Sequence, residues 1–132
     1  MLKKSVKVRA YMAANLVTMA PDMEILRAIH LLVENRISGA PVVDARGNLV
    51  GILSEQDCIR VALDSGYHAH YGGHVADFMS KVVHTVDADA SVLELAQRFI
   101  DAPYRRYPVV QNNRLVGQIS RRDVLRALED LW

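Results

Sequence analysis

Apolar residues recur in two closely similar patterns, one in each half of the chain. Two runs have the spacing of a helix with one buried face. Their members are Ile25, Leu26, Ile29, Leu32 and Val33 in the first half, and Val92, Leu93, Ala96, Phe99 and Ile100 in the second. Asp22 and Asp89 are candidate N-caps, and Ser91 with Glu94 has the spacing of a capping box.

After each predicted helix the apolar period changes to that of strands. Apolar runs flank the turn 45–48 and the turn Asn112-Asn113, which indicates two β-hairpins. The predicted hairpin strands are 41–43 with 49–53, and 108–110 with 115–119. Short strands at 16–19 and 82–86 precede the helices, each after a short apolar turn, and a second helix follows each hairpin, at 54–63 and from 120 to near 132.

The two patterns are copies of each other, because residues 8–60 match residues 75–126. Thr85 lies 67 positions after Thr18, but Asp123 lies 66 after Asp57, so the second hairpin turn is one residue shorter. Two copies predict two similar halves about a pseudo-twofold axis. We expect an α/β fold with a small sheet in each half, the sheets facing each other and the helices outside. The predicted boundaries are 1–66, a linker 67–74, and 75–132.

A Gly-x-x-Ser-x-x-Asp motif ends each hairpin, as Gly51-Ile-Leu-Ser54-Glu-Gln-Asp57 and Gly117-Gln-Ile-Ser120-Arg-Arg-Asp123. One interpretation is structural, since Ser-x-x-Asp caps helices. The other is a ligand site, because a helix N-terminus with a hydroxyl binds anions. The carboxylate would repel a phosphate but can accept hydrogen bonds from a ribose diol.

The repeated unit, with its apolar-Pro-Val-Val segment followed by Gly-x-x-Ser-x-x-Asp, resembles the cystathionine beta-synthase (CBS) domain, here in tandem over nearly the whole chain. The resemblance implies one module with two clefts between its halves. It implies a regulatory ligand that contains adenosine, such as AMP, ADP, ATP or S-adenosylmethionine. No cofactor is required by this interpretation.

The resemblance also implies which residues line each cleft. The first cleft would combine Ser54 and Asp57 with Thr85 and the segment before the second hairpin. There Asp57 would bind ribose, Thr85 and nearby backbone would hold adenine, and Arg106 or Arg105 would meet phosphate. The members of that segment are Tyr104, Arg105, Arg106 and Tyr107. Packing explains the two tyrosines better than ring stacking does. A solvated surface explains the two arginines as well as a ligand does.

The second cleft would combine Ser120 and Asp123 with Thr18 and the segment before the first hairpin. Arg122 or Arg121 would meet phosphate. The members of that segment are Ile37, Ser38, Gly39 and Ala40. Both motifs carry Ser where the family most often has Thr, which keeps the hydroxyl.

Two other groups of residues have potential chemistry. His68, His70 and His74 could ligate a metal, but they lie in a glycine-flanked linker without a clear partner ligand, so no metal site is predicted. Cys58 could act as a nucleophile, but its counterpart in the second copy is Val124, which favours a core position. No motif for catalysis is present, and we expect no enzyme activity.

Composition and charge bear on the partners and the location of the protein. The net charge of +1 gives no overall attraction to nucleic acid, so binding through the four arginines is the weaker alternative. A second alternative is a protein-interaction module with vestigial clefts. One cysteine, no signal peptide and no long apolar run predict a cytoplasmic protein without a membrane partner. A homodimer is predicted from apolar residues near the C-terminus, which are Leu128, Leu131 and Trp132. The resemblance implies the same, since the family commonly pairs its modules. The module would act on an effector protein that the sequence does not identify.

Overall fold

The computed structural model describes residues 6–64 and 72–131, which form two compact units. The first-repeat unit contains residues 17–64 and 72–83. The second-repeat unit contains residues 6–16 and 84–131. Each unit has its own hydrophobic core.

The first-repeat unit is built on one antiparallel hairpin with helices against it. Its elements are α1 (Ile25–Asn35), β1 (Gly39–Val43), β2 (Leu49–Ser54), α2 (Glu55–Asp64) and the short α3 (Val75–Phe78). Gly39 pairs with Ser54 and Ala40 with Leu53, so β1 begins where β2 ends. That end of the sheet is also where α2 starts.

The second-repeat unit repeats this plan around a sheet of order β3-β4-β5. It begins with a 3-10 turn at Val8–Ala10. Its other elements are β3 (Val86–Asp87), α4 (Val92–Asp101), β4 (Arg106–Gln111), β5 (Arg114–Ser120) and α5 (Arg121–Leu131). Helices and small sheets therefore alternate in both units, and the predicted α/β class is confirmed.

The strands before the first helices are shorter than predicted. At 16–19 only Met19 pairs, through a parallel bridge to Val42, because the proline at position 41 has no N–H to donate to the carbonyl of residue 17. At 82–86 the strand begins only at Val86. The carbonyl of Thr85 instead accepts a hydrogen bond of 3.0 Å from the Arg98 guanidinium.

The opening turns of the two repeats are exchanged between the units. The turn Val8–Ala10 belongs to the second-repeat unit, where Val8 N–H donates to the Ala90 carbonyl at 2.9 Å. The helix Val75–Phe78 belongs to the first-repeat unit, where Val75 N–H donates to Met23 at 2.9 Å. The boundaries 1–66, 67–74 and 75–132 describe repeats along the sequence and stay a prediction, whereas the spatial units cross them.

The helix N-caps are only partly as predicted. Ser91 caps α4, its Oγ accepting from Leu93 N–H at 3.1 Å. Asp89 and Asp22 do not cap: α1 starts after Glu24 without a side-chain bond, and Asp89 binds the Arg9 guanidinium at 2.8 Å. Arg9 lies in the exchanged opening turn, 80 positions from Asp89 in the chain. Local spacing therefore could not indicate this pairing.

Four of the ten apolar positions that define the two periodic helices face outward. The buried members are Ile25, Ala28 and Leu32 in α1, and Val92, Leu95 and Phe99 in α4. Leu26 and Val33 on α1, and Leu93 and Ile100 on α4, are exposed. Each helix thus has one buried face, but it is narrower than predicted, because these four residues form a second apolar stripe outside it. No helix within the described ranges is both long and apolar enough to cross a membrane.

Candidate functional site

Each Ser-x-x-Asp motif closes into a reciprocal capping box at the start of a helix. Asp57 Oδ2 accepts from both Ser54 N and Ser54 Oγ at 2.9 Å, and Asp57 N–H donates back to Ser54 Oγ at 3.1 Å. Ser120 and Asp123 repeat the arrangement at 2.9, 3.0 and 3.2 Å. The capping interpretation is therefore confirmed. It does not exclude a ligand role, because the box uses only Oδ2 of each carboxylate.

The remaining oxygens of the two carboxylates have different surroundings. Asp123 Oδ1 lies 3.1 Å from Arg126 Nη2. Arg126 Nη2 also donates to the Tyr11 carbonyl at 3.2 Å, and its guanidinium lies 5.9 Å from the centre of the Tyr11 ring. For Asp57 Oδ1 the described part of the chain supplies no donor within hydrogen-bond distance.

In the first-repeat unit, the segment 37–40, which leads into β1, lies beside the Ser-x-x-Asp box of the same unit. The Ser38 carbonyl accepts from Glu55 N–H at 2.9 Å, and Gly39 pairs with Ser54. Ile37 packs against the core, and the side chain of Ala40 is buried in it. Thr18 is exposed and immediately precedes the bridge residue Met19.

In the second-repeat unit, the segment 104–107, which leads into β4, contains two aromatic residues. Tyr107 is 1% exposed and packs on Phe99, with the Arg98 guanidinium 4.5 Å above its ring. Tyr104 is 40% exposed, 5.6 Å from Tyr107 and 5.1 Å from the His84 ring. Tyr107 is thus a core residue, as the packing interpretation predicted, whereas Tyr104 offers part of its ring to solvent.

The four arginines of the two predicted clefts lie at one end of the second-repeat sheet. The Arg105 carbonyl accepts from Arg121 N–H at 3.1 Å, and Arg106 pairs with Ser120, one residue from the start of α5. The side chains of Arg105, Arg106, Arg121 and Arg122 are exposed, and none makes an ion pair with a carboxylate of the described residues. The matching positions in the first repeat are Ser38, Gly39, Glu55 and Gln56. Only one unit therefore carries this positive charge.

Each unit thus gathers one group of the predicted residues at one end of its sheet. The first-repeat unit brings together Thr18, the segment 37–40, Ser54 and Asp57. The second-repeat unit brings together Thr85, the segment 104–107 and the motif 120–123. The predicted clefts take one group from each repeat, and that combination stays a prediction.

Two residues beside the site were missed from the sequence. Arg126 lies one helical turn after Asp123, and an i,i+3 search for opposite charges would have found it. His84 immediately precedes Thr85, but its contact with Tyr104 joins positions 20 apart in the chain. No local spacing indicates such a contact.

The structure also places Cys58, the candidate nucleophile, and His74, one of the candidate metal ligands. Cys58 is buried in the first-repeat core, and burial, with a smaller effect of Asp57, raises the pKa of its thiol, which opposes nucleophilic reactivity. His68 and His70 lie outside the described residues. His74 caps α3 opposite Asp77, and within 6–64 and 72–131 no group of three potential ligands could hold a metal ion.

Comparison with known proteins identifies the repeated unit. The family model for the CBS domain matches residues 8–64 and 75–130. The chloroplastic CBS domain-containing protein CBSX1 of Arabidopsis thaliana is 31% identical over 133 residues, covering 81% of this chain and 56% of its own length. A Methanocaldococcus jannaschii protein is 28% identical over 125 residues, covering 95% and 44%. The chain therefore spans about half the length of these curated relatives.

Solved structures share the fold. The structure of CBSX2 from Arabidopsis thaliana, a CBS-pair protein, matches with a TM-score of 0.81 at 27% identity, over 96% of each chain. CBSX2 in complex with AMP matches with a TM-score of 0.79 at 29% identity, over 94% of this chain and 96% of that one.

Proposed function

The chain belongs to the CBS domain family, and on this premise we propose that it is a regulatory module that senses an adenosine-containing ligand and catalyses no reaction itself. The ligand in this proposal is AMP, ADP, ATP or S-adenosylmethionine. The observation that carries it is the pair of capping boxes, each of which fixes a carboxylate while leaving its second oxygen outside the box.

The chemistry of the site suits a nucleotide. A fixed carboxylate accepts hydrogen bonds from the two hydroxyls of ribose, and such charge-assisted bonds are worth about 1.5–3 kcal/mol each. The exposed arginines around Ser120 and Arg106 supply donors for phosphate. The partly exposed Tyr104, next to His84, adds an aromatic surface beside Thr85, where we expect the adenine.

The assignment to two clefts follows the family resemblance. In the first, Asp57 and Ser54 act with Thr85 and the segment 104–107. In the second, Asp123 and Ser120 act with Thr18 and the segment 37–40. The solved CBSX2 chain, of which the match covers 96%, is in complex with AMP, which supports AMP as the first ligand to test.

We also propose a homodimer and an effector protein as partners. The apolar surface differs from that predicted, since Leu128 packs against the second-repeat core and Trp132 lies outside the described residues. The exposed stripes of α1 and α4 take its place, and corresponding stripes on a second copy would cover them. The cytoplasmic location stays a prediction.

Calorimetric titration with AMP, ADP, ATP and S-adenosylmethionine tests the proposal. We expect binding by the wild type, and a loss of tenfold or more in affinity at one site in Asp57→Ala and at the other in Asp123→Ala. Arg106→Ala should weaken AMP but not adenosine, because only the phosphate contact is removed.

The aspartates also cap helices, so a control must separate binding from stability. Loss of a cap costs roughly 0.5–2 kcal/mol. Ser91→Ala removes a cap of α4 and no proposed ligand contact, so it should melt earlier yet bind as the wild type does. A folded wild type that binds none of the four ligands would leave the interaction-module alternative in place of the sensor.

A further inference from the structure

The two repeats carry the same Asp-x-x-Arg sequence, but only one of the two arginines engages its aspartate. Arg126 follows Asp123 by three residues and donates to its Oδ1 at 3.1 Å. Arg60 follows Asp57 by three residues, is exposed, and donates to no acceptor among the described residues. The same Asp-x-x-Arg sequence therefore leaves the two carboxylates with different hydrogen-bond partners.

The difference is explained by the turn that packs on each helix. Tyr11 OH donates to Asp130 Oδ2 at 3.1 Å, which ties the opening turn to α5. The Tyr11 carbonyl then accepts from Arg126 at 3.2 Å, which holds the guanidinium in place over Asp123. In the first-repeat unit the corresponding residue is Phe78, which has no hydroxyl and cannot make this tie.

The number of free acceptor positions on each aspartate limits how many ribose hydroxyls it can bind. A carboxylate offers about four acceptor positions, two on each oxygen. In both boxes Ser N–H and Ser Oγ occupy Oδ2. Asp57 Oδ1 is left with both of its positions, enough for a ribose diol. Asp123 Oδ1 has one, because Arg126 takes the other.

We propose that the two nucleotide sites are unequal because Arg126 competes with the ribose diol for Asp123, whereas no residue of the described part of the chain competes at Asp57. The inference rests on the proposed function and adds to it a difference between its sites. A ligand at Asp123 must displace the guanidinium or leave one hydroxyl unbound, so the Asp57 site fills first.

The test isolates the weaker site and then removes the competitor. In an Asp57→Ala background, which leaves only the Asp123 site, Arg126→Ala should tighten AMP binding roughly twofold to fivefold, the range expected for displacing one partly exposed ion pair. With 2′-deoxyadenosine monophosphate the gain should vanish, because that ligand lacks the second hydroxyl. A purely structural role of Arg126 would not distinguish the two nucleotides.

The first repeat supplies the matched control. In an Asp123→Ala background, Arg60→Ala should leave AMP affinity at Asp57 unchanged. If Arg126→Ala unfolds, Arg126→Met keeps the length of the side chain and removes its donors. The inference is overturned if removal of Arg126 gives no gain or a loss, or if both nucleotides gain equally. A wild type that does not bind AMP is a different result, and it overturns the proposed function.

Discussion

Gly51 and Gly117 lie where the exchanged opening turns meet the two hairpins. A Cβ built on Gly51 would stand 2.9 Å from the Ser80 carbonyl oxygen, and one on Gly117 would stand 2.8 Å from that of Ala13. Both carbonyls are held in bridges to the same strands, so neither can retreat without breaking hydrogen bonds. The glycine of the motif therefore serves the fold, and its serine and aspartate form the box.

Alanine at either glycine should destabilise the protein. Gly51→Ala and Gly117→Ala should each lower the free energy of unfolding by about 1–3 kcal/mol, the usual cost of overpacking. Gly72→Ala is the control, because nothing lies within 4 Å of its added Cβ. Urea unfolding of the three variants measures the effect, and equal midpoints for all three would contradict the close-contact explanation.

The carboxylate of Asp44 organises the first hairpin turn. Its Oδ1 accepts from Arg46 N–H and Asn48 N–H, both at 2.9 Å, and the bond from Asn48 is the largest cause of the lowered pKa of Asp44. A lowered pKa means that the folded state favours the charged carboxylate. Its contribution to stability is present above the unfolded-state pKa, near 3.9, and is lost as pH falls through the folded-state value.

Asp44→Ala should therefore change the acid side of the stability profile. We expect its melting temperature to fall below that of the wild type at neutral pH, and the gap to narrow as pH falls below about 4. Asp22→Ala is the control, since the exposed Asp22 accepts no hydrogen bond from the described residues. A gap that stays constant from pH 7 to acid would exclude the carboxylate as its source.

The second hairpin depends on backbone with positive φ. Asn112 and Asn113 have φ of 52° and 67°, and Gln111 pairs with Arg114 across them. Two positive φ values in a two-residue loop give the turn whose twist matches that of the flanking strands. The turn thereby sets the register that places Arg106 opposite Ser120.

Substitutions at Asn113 should separate the backbone requirement from side-chain chemistry. Asn113→Gly should be at least as stable as the wild type, whereas Asn113→Val should lose about 1–2 kcal/mol, because a β-branched residue resists positive φ. Thermal unfolding compares the two. Equal stability of the glycine and valine variants would show that the turn does not require this conformation.

The sequence predicted elements well wherever local chemistry decides them. Both hairpins, the helices that follow them and the cap at Ser91 depend on contacts within a few residues. The exchanged opening turns do not, because Val8 and Val75 each pack on the repeat that is distant in sequence. The early strands were overestimated for a related reason: their pairing depends on a neighbouring strand and not on apolar pattern alone.

The candidate site likewise contains residues that local contacts determine and residues that contacts distant in the chain determine. The Ser-x-x-Asp boxes were predicted, because the serine and the aspartate that form each box lie three positions apart, within one helical turn. The clustering of Arg105 and Arg121, and the contact of Arg126 with Tyr11, depend on strand register and on the exchanged turn. Spacing along the chain therefore identified the motif residues but not the neighbours that make the two motifs unequal.

For the whole molecule, the relevant feature is apolar surface that recurs in both repeats. Val33 is 72% exposed and its counterpart Ile100 is 78% exposed. Leu26 and Leu93, also exposed, each lie about two turns earlier on the same helix. The helices α2 and α5 add Ile59 and Leu125 at matching positions. Surface of this kind favours association, and stripes repeated within one chain suit a partner that carries the same two stripes.

Charge placed on these stripes should dissociate the proposed homodimer. Val33→Glu and Ile100→Glu put a carboxylate at positions that a second copy would desolvate, so each should shift the protein from dimer to monomer. The direct effect on the free energy of unfolding should stay within about 0.5 kcal/mol, as expected for exposed sites. Arg27→Glu is the control, because it adds negative charge to α1 outside the apolar pair. Sedimentation velocity at micromolar concentration gives the result. A monomeric wild type, or dimers that persist in both stripe variants while Arg27→Glu behaves identically, would show that these stripes do not join two copies.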